Sequence, residues 1–149
     1  NIPRKQIDFH QGYVLDSIKN CMNLMNIEDN SFRKSLQKGL NFYAKNQFKP
    51  NGSSYWRWPR YWPVEIHNQS QGIITFCRNS DVNKDFLLLA EKIATFTISE
   101  MQSKKGYFYY QKWPMIINKI PYMRWSQAWM LLALIELIKK RGDKIETIN

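Results

Sequence analysis

Glu65-Ile66-His67-Asn68-Gln69-Ser70-Gln71-Gly72-Ile73 opens an apolar helical run that continues to Arg78, directly after a loop crowded with tryptophan and tyrosine. In this stretch a glutamine followed by a small residue falls in the first turn of a helix. The same junction occurs twice more, as Asp8-Phe9-His10-Gln11-Gly12-Tyr13 and as Arg124-Trp125-Ser126-Gln127-Ala128-Trp129. Gln11, Gln71 and Gln127 are thus 60 and 56 residues apart (71−11, 127−71), which leaves room for two helices between successive junctions. A period of this size marks a helical array in which each unit buries the apolar face of its neighbour.

Working outward, residues 8–25 carry Phe9, Tyr13, Ile18 and Met22 at helical spacing, with Asp8 placed to cap them. After a polar break at 26–30, residues 31–48 set Phe32, Leu36, Leu40, Tyr43 and Phe48 against Arg33, Lys34, Lys38, Asn41 and Lys45, an amphipathic outer helix. The loop 49–67 holds Tyr55, Trp56, Trp58, Tyr61 and Trp62 with Arg57, Arg60 and Glu65, too aromatic for ordinary solvent-facing chain. Residues 68–78 and 83–101 follow as a second helix pair, the latter capped by Ser80 or Asp81 and lined by Phe86, Ala90, Ile93, Ala94, Thr97 and Met101.

The second loop, 102–122, echoes the first. Gly106-Tyr107-Phe108-Tyr109-Tyr110-Gln111-Lys112-Trp113-Pro114 resembles Gly52-Ser53-Ser54-Tyr55-Trp56-Arg57-Trp58-Pro59, and the alternation of Tyr107, Tyr109 and Gln111 against Phe108, Tyr110 and Lys112 predicts a short extended piece or hairpin. Residues 124–141 read as a helix apolar nearly all round, expected to be walled in and stopped by Gly142. The order inner helix, outer helix, long loop predicts one all-α domain over 1–149. Its antiparallel helical hairpins form an incomplete α/α toroid, with short extended pieces in the two aromatic loops.

The chain has 22 Lys and Arg against 12 Asp and Glu, a formal charge of +10, which favours polyanionic partners. The basic residues are scattered without a run of five, the pattern of a solvated surface. Cys21 and Cys77 both lie in apolar helical runs and read as small hydrophobes. With only two cysteines and two histidines, His10 and His67, far apart, no zinc spacing exists and neither metal nor other cofactor is expected. The most apolar stretch, Ala128 to Ile138, has eleven residues including Glu136, short of the roughly 18 that a membrane span needs. Without a signal peptide or span, a cytoplasmic location is expected.

In a toroid the inner helices start at one rim, so polar first turns, aromatic loops and helix N-termini converge on one mouth. Flat rings suit the C–H face of a sugar, and amides and carboxylates suit its hydroxyls. Arg124, Arg57 or Arg60 would suit a sugar carboxylate, which a guanidinium binds in bidentate fashion. Candidate binding residues are His10, Gln11, Trp58, Asn68, Gln71, Tyr107, Tyr122, Arg124 and Gln127. Glycoside cleavage needs two carboxyl groups about 5–10 Å apart. Asp8 and Glu65 are the acids nearest the junctions, with Asp16 and Glu136 further down the first and last helices; His67 or His10 is an alternative acid/base, and Tyr109 or Tyr122 would serve for proton abstraction beside a uronate. Simpler roles compete: Asp8 with Gln11, and Asn68 with Gln71, have the spacing of a capping box, and the rings can plug a core.

The segments 8–18, 65–73 and 121–130 resemble those of six-hairpin α/α-toroid proteins found with bacterial polysaccharide genes, which are related in fold to six-hairpin glycosidases and glucuronyl epimerases. The resemblance implies binding or processing of a carbohydrate, acidic polysaccharides included, as a glycoside hydrolase, lyase or epimerase in the complete protein. Six hairpins at this spacing need roughly 350 residues, whereas the chain has 149. It therefore resembles the C-terminal part of a toroid, whose partner besides the carbohydrate would be the missing N-terminal half or a second copy. Two other readings stand beside this one: a non-catalytic helical module that binds a protein, and, less favoured, single-stranded nucleic-acid binding.

Overall fold

A computed structural model describes residues 9–146. The described chain is predominantly helical: α1 (Phe9–Leu24), α2 (Asn30–Gln47), α3 (Ile66–Arg78), α4 (Asp85–Met101) and α5 (Trp129–Glu146), the last entered through a π-helical turn over Met123–Ala128. Three two-residue strands, β1 (Val64–Glu65), β2 (Gln111–Lys112) and β3 (Ile117–Asn118), form one antiparallel sheet in that order. The extended pieces expected in the two loops are therefore joined to each other. Glu65 pairs with Gln111 and Lys112 with Ile117, which ties the end of the first aromatic loop to a hairpin in the second.

The apolar faces predicted for the outer helices largely hold. Phe86, Ala90, Ile93, Ala94 and Met101 of α4 are buried, as are Leu36, Leu40 and Tyr43 of α2, whereas Phe32 is exposed. The cap of α2 is Asp29, whose carboxylate accepts the Ser31 N–H at 2.6 Å; Asn83 accepts from Asp85 at 2.9 Å before α4, in place of Ser80 or Asp81.

The walled-in helix is α3, not α5. Twelve of its thirteen residues are buried, and it packs on α1, α4 and α5. Leu131, Ile135 and Ile138 leave one side of α5 exposed, and Gly142 does not stop it, since the helix continues to Glu146. Sequence apolarity misplaces the centre because α3 carries His67, Asn68, Gln69, Ser70 and Gln71, polar groups that are tolerated inside only when partnered. Cys77 is buried and Cys21 exposed, so only one of them fits the reading as a core hydrophobe.

The loop echo is exact at the level of hydrogen bonds. In the first loop Lys49 N donates to Ser53 O at 2.9 Å, Gly52 N to Lys49 O at 2.9 Å and Tyr55 N to Gln47 O at 2.9 Å. Their counterparts 54 residues on (106−52) are Ser103 N to Tyr107 O at 2.8 Å, Gly106 N to Ser103 O at 2.9 Å and Tyr109 N to Met101 O at 2.8 Å. A glutamine then fastens each loop from the next helix start. Gln69 Oε1 accepts from Ser54 N at 2.7 Å, and Gln127 Oε1 accepts from Phe108 N at 2.9 Å. Gln69, rather than Gln71, is thus the structural counterpart of Gln127.

Candidate functional site

The densest gathering of polar and aromatic groups lies where β1 runs into α3. Glu65 is the N-cap, its Oε2 accepting the Asn68 N–H at 3.2 Å. Glu65 is only 4 % exposed. Burial pushes its pKa from 4.5 up to about 7, against the downward pull of hydrogen bonds from the His67 and Asn68 backbone. Asn68 acts as a clasp: Oδ1 accepts the Phe9 N–H at 2.9 Å, and Nδ2 donates to the carbonyls of Tyr55 at 2.8 Å and Trp56 at 3.4 Å. The start of α1, the first loop and the start of α3 meet at this one side chain.

Four rings extend the junction. His10 stacks on Phe9 at 4.1 Å between centroids, Phe9 on His67 at 4.2 Å, and His67 on Trp129 at 5.2 Å. The starts of α1, α3 and α5 are thereby joined. Tyr13, one turn into α1, places its hydroxyl 2.6 Å from His67 Nε2 and its ring 5.6 Å from that of Trp129. Burial, with a lesser contribution from His10, lowers the His67 pKa from 6.5 to about 4. The Tyr13 phenol is raised from 10.0 to about 12 by burial and then by the Glu65 charge, with Arg124 pulling the other way.

A second ring group flanks Glu65. Tyr110 and Tyr122 meet edge to face at 4.9 Å, with Trp125 at 5.6 Å from Tyr122. Burial, Glu65 and Tyr122 all raise the Tyr110 phenol. At neutral pH this places a carboxyl near its midpoint beside a neutral imidazole and protonated phenols. A group poised this way can give or take a proton without the cost of a fixed buried charge.

No protein-family model matches the chain, and no curated protein does.

Of the residues singled out in the sequence, Glu65, His67, His10, Asn68, Tyr122 and Arg124 come together here. Asp8 lies outside the described residues. Tyr107 and Tyr109 sit elsewhere on the second loop, as an edge-to-face pair at 5.8 Å with the Lys119 ammonium over the Tyr109 ring. Trp58 packs against Phe42 of α2 at 5.9 Å.

Two of the three glutamines of the junction motif are taken up by hydrogen bonds within the fold. Gln127 grips Phe108 through both its N–H and its carbonyl. Gln71, instead of completing a capping box with Asn68, donates to Asp16 at 3.0 Å and to Thr75 at 2.9 Å. The amide of Gln11 lies beside Gly39 of α2, 4.0 Å from where a Cβ would stand. Asp16 is committed as well: it accepts from Gln71, Thr75 and Asn79, and burial raises it from 3.8 to about 6.

Phe9, Tyr13, Tyr110, Trp125 and Trp129 are the members that sequence reasoning missed. Tyr13 follows His10 by three residues, on the same helix face, a spacing that could have marked it. A separate cavity of about 520 Å³ opens at the far ends of α1 and α3, between Lys19, Met22, Arg33, Leu36, Asp81 and Val82. Among the described residues, no group of three or more His, Cys, Asp and Glu is placed to hold a metal. No described helix is long and apolar enough to cross a membrane.

Proposed function

We propose that the protein binds an acidic carbohydrate at the start of α3 and carries out acid/base chemistry there. The observation that supports this most is the Glu65 carboxyl, buried, poised near neutrality and placed beside the Tyr13–His67 pair. Trp125, Trp129, Tyr110 and Tyr122 supply the flat apolar faces that sugar rings require, and the positive end of α3 and Arg124 supply the field for a uronate.

Among hydrolase, lyase and epimerase, the arrangement favours the two that begin by removing a proton beside a uronate carboxylate. Hydrolysis asks for a second free carboxyl group opposite the first. Asp16 is bound up by three donors in the α1–α3 packing, and Asp8, the acid paired with Glu65 in the sequence, lies outside the described residues, so the preference rests on the groups that do surround Glu65. Proton abstraction needs one base, one acid and a positive group on the substrate carboxylate. Glu65, Tyr13 with His67, and Arg124 answer to those roles. In the toroid reading, the second half of the mouth would come from another part of the protein or from a second copy.

The test is incubation of the protein with uronate-containing oligosaccharides in D₂O, reading deuterium incorporation and chain cleavage by mass spectrometry. Wild type should exchange or cleave; Glu65→Gln should lose at least a hundredfold in rate while still binding. Cleavage that adds the elements of solvent water across the glycosidic bond, with no unsaturated uronate at the new end, would point to a hydrolase. Absence of both binding and turnover would favour a non-catalytic interaction module. That second reading draws on the exposed Leu131, Ile135 and Ile138 of α5 and on the apolar groove along α1 between Val14, Ile18 and Phe32.

A further inference from the structure

The first aromatic loop carries a charge arrangement that the proposed chemistry does not use. Arg57 and Arg60 are cross-paired, with the Arg57 N–H donating to the Arg60 carbonyl at 3.1 Å, and this tight turn sends both side chains to one ring. The Arg57 guanidinium carbon lies 4.1 Å and that of Arg60 4.9 Å from the centroid of the Trp56 indole. Each cation is attracted to the ring, but the two repel one another, and neither has a carboxylate partner among the described residues. The Nε–H of Arg57 is shielded from solvent with no acceptor.

The platform is firmly held and stands next to the candidate site. Trp56 N donates to Tyr61 O at 3.0 Å, and the Tyr55 and Trp56 carbonyls are both gripped by Asn68, the residue that also holds Phe9 and follows the Glu65 cap. Lys49, with its ammonium 3.2 Å from the centroid of Tyr61, adds a third positive charge to the same loop.

We infer that Arg57 and Arg60 form a cradle for the carboxylate of a uronate unit, adjacent to the unit processed at Glu65. The inference rests on the carbohydrate reading of that site and adds a subsite to it. Guanidinium groups held on one ring present planar N–H forks, and a carboxylate accepts two such bonds in one plane while neutralising the repulsion between the arginines. Nucleic acid is the weaker occupant. Its bases need open aromatic faces, and the Trp56 indole is already taken by the guanidiniums.

Isothermal titration of the full chain with a hyaluronan hexasaccharide, with its carboxyl-reduced neutral form and with a 20-nucleotide poly(U) RNA tests the cradle. Wild type should bind the acidic hexasaccharide at least tenfold tighter than the neutral one. The R57Q/R60Q variant should abolish that ratio without weakening the neutral ligand, and R57K/R60K, which keeps the charge but not the fork, should lose most of it. Circular dichroism melting of both variants at the wild-type temperature shows that the fold is intact. Binding is read without turnover, so loss of the ratio in R57Q/R60Q is seen whether or not wild type exchanges deuterium, and failure of the catalytic reading and failure of the cradle are told apart. An undiminished ratio in R57Q/R60Q, no discrimination by wild type, or poly(U) binding that outcompetes the hexasaccharide and disappears in R57Q/R60Q would each overturn the inference.

Discussion

Tyr13 and His67, 54 residues apart in the chain (67−13), meet with the phenol oxygen 2.6 Å from Nε2. The imidazole is sandwiched between Phe9 and Trp129, so its edge is the part left for polar contact, and Tyr13 occupies it. With the phenol raised to about 12 and the imidazole lowered to about 4, both are neutral at pH 7 and share one hydrogen bond in a mostly apolar setting. Tyr13→Phe keeps the ring and removes that bond, leaving the imidazole nitrogen short of a partner. The expected loss is about 1–2 kcal/mol of folding stability, read from urea unfolding at pH 7.

Glu65 sets a pH dependence of definite sign. Its folded pKa of about 7 exceeds the ordinary 4.5, so between these values the folded state binds more protons than the unfolded one. The resulting stabilisation is fully present below pH 4.5 and is lost as pH rises through 7. His67 acts the other way: held near 4 rather than 6.5, it costs stability as pH falls through that window. Glu65→Gln keeps an acceptor for the Asn68 N–H and removes the buried charge. It should gain on wild type by roughly 1–3 kcal/mol between pH 5 and pH 8. Parallel curves for the two proteins in urea unfolding at those pH values would reject a raised Glu65.

The paired loops allow a controlled comparison of two glycines. Gly52 and Gly106 hold equivalent turns with φ of +89° and +92°, a region that side chains rarely adopt. A Cβ on Gly52 would also strike the Lys92 carbonyl of α4, whereas one on Gly106 meets nothing within 4 Å. Gly106→Ala should cost about 1 kcal/mol from backbone strain alone, and Gly52→Ala at least twice that. Thermal melts of the two variants measure the difference, and equal losses would mean that α4 yields to the first loop.

How far the sequence could be read depended on whether a signal was periodic or pairwise. The apolar spacing of Leu36, Leu40 and Tyr43, and of Phe86, Ala90 and Ile93, places the faces of α2 and α4 because every buried position repeats the message. The echo of Gly52-Ser53-Ser54-Tyr55 in Gly106-Tyr107-Phe108-Tyr109 likewise becomes two identical turns. Partner choice left no such trace. Gln69, Gln71 and Gln127 look alike in sequence, yet one grips a loop and Thr97, one reaches Asp16, and one grips the other loop. In the candidate site, Glu65, His67 and Asn68 were visible because they adjoin a helix start. Tyr13 and Trp129 were not, because their roles come from rings brought in by α1 and α5.

The two loop-gripping glutamines should differ in weight. Gln69 is completely buried; it accepts from Ser54 N at 2.7 Å and donates to Gly52 O at 3.2 Å and Thr97 Oγ1 at 3.0 Å, so it ties the first loop to both α3 and α4. Gln127 is half-buried and makes its two bonds to the single residue Phe108. Truncating Gln69 strands a buried backbone N–H and carbonyl in a closed space, whereas water can reach the groups that Gln127 leaves behind. Gln69→Ala should therefore cost about 3–5 kcal/mol and Gln127→Ala about 1–2 kcal/mol. Hydrogen exchange gives the local check: the Ser54 amide should lose protection in the first variant and the Phe108 amide in the second, each without effect on the other loop. Loss of protection at both amides in either variant would show instead that the two loops open as one unit through the β1–β2 pairing of Glu65 with Gln111.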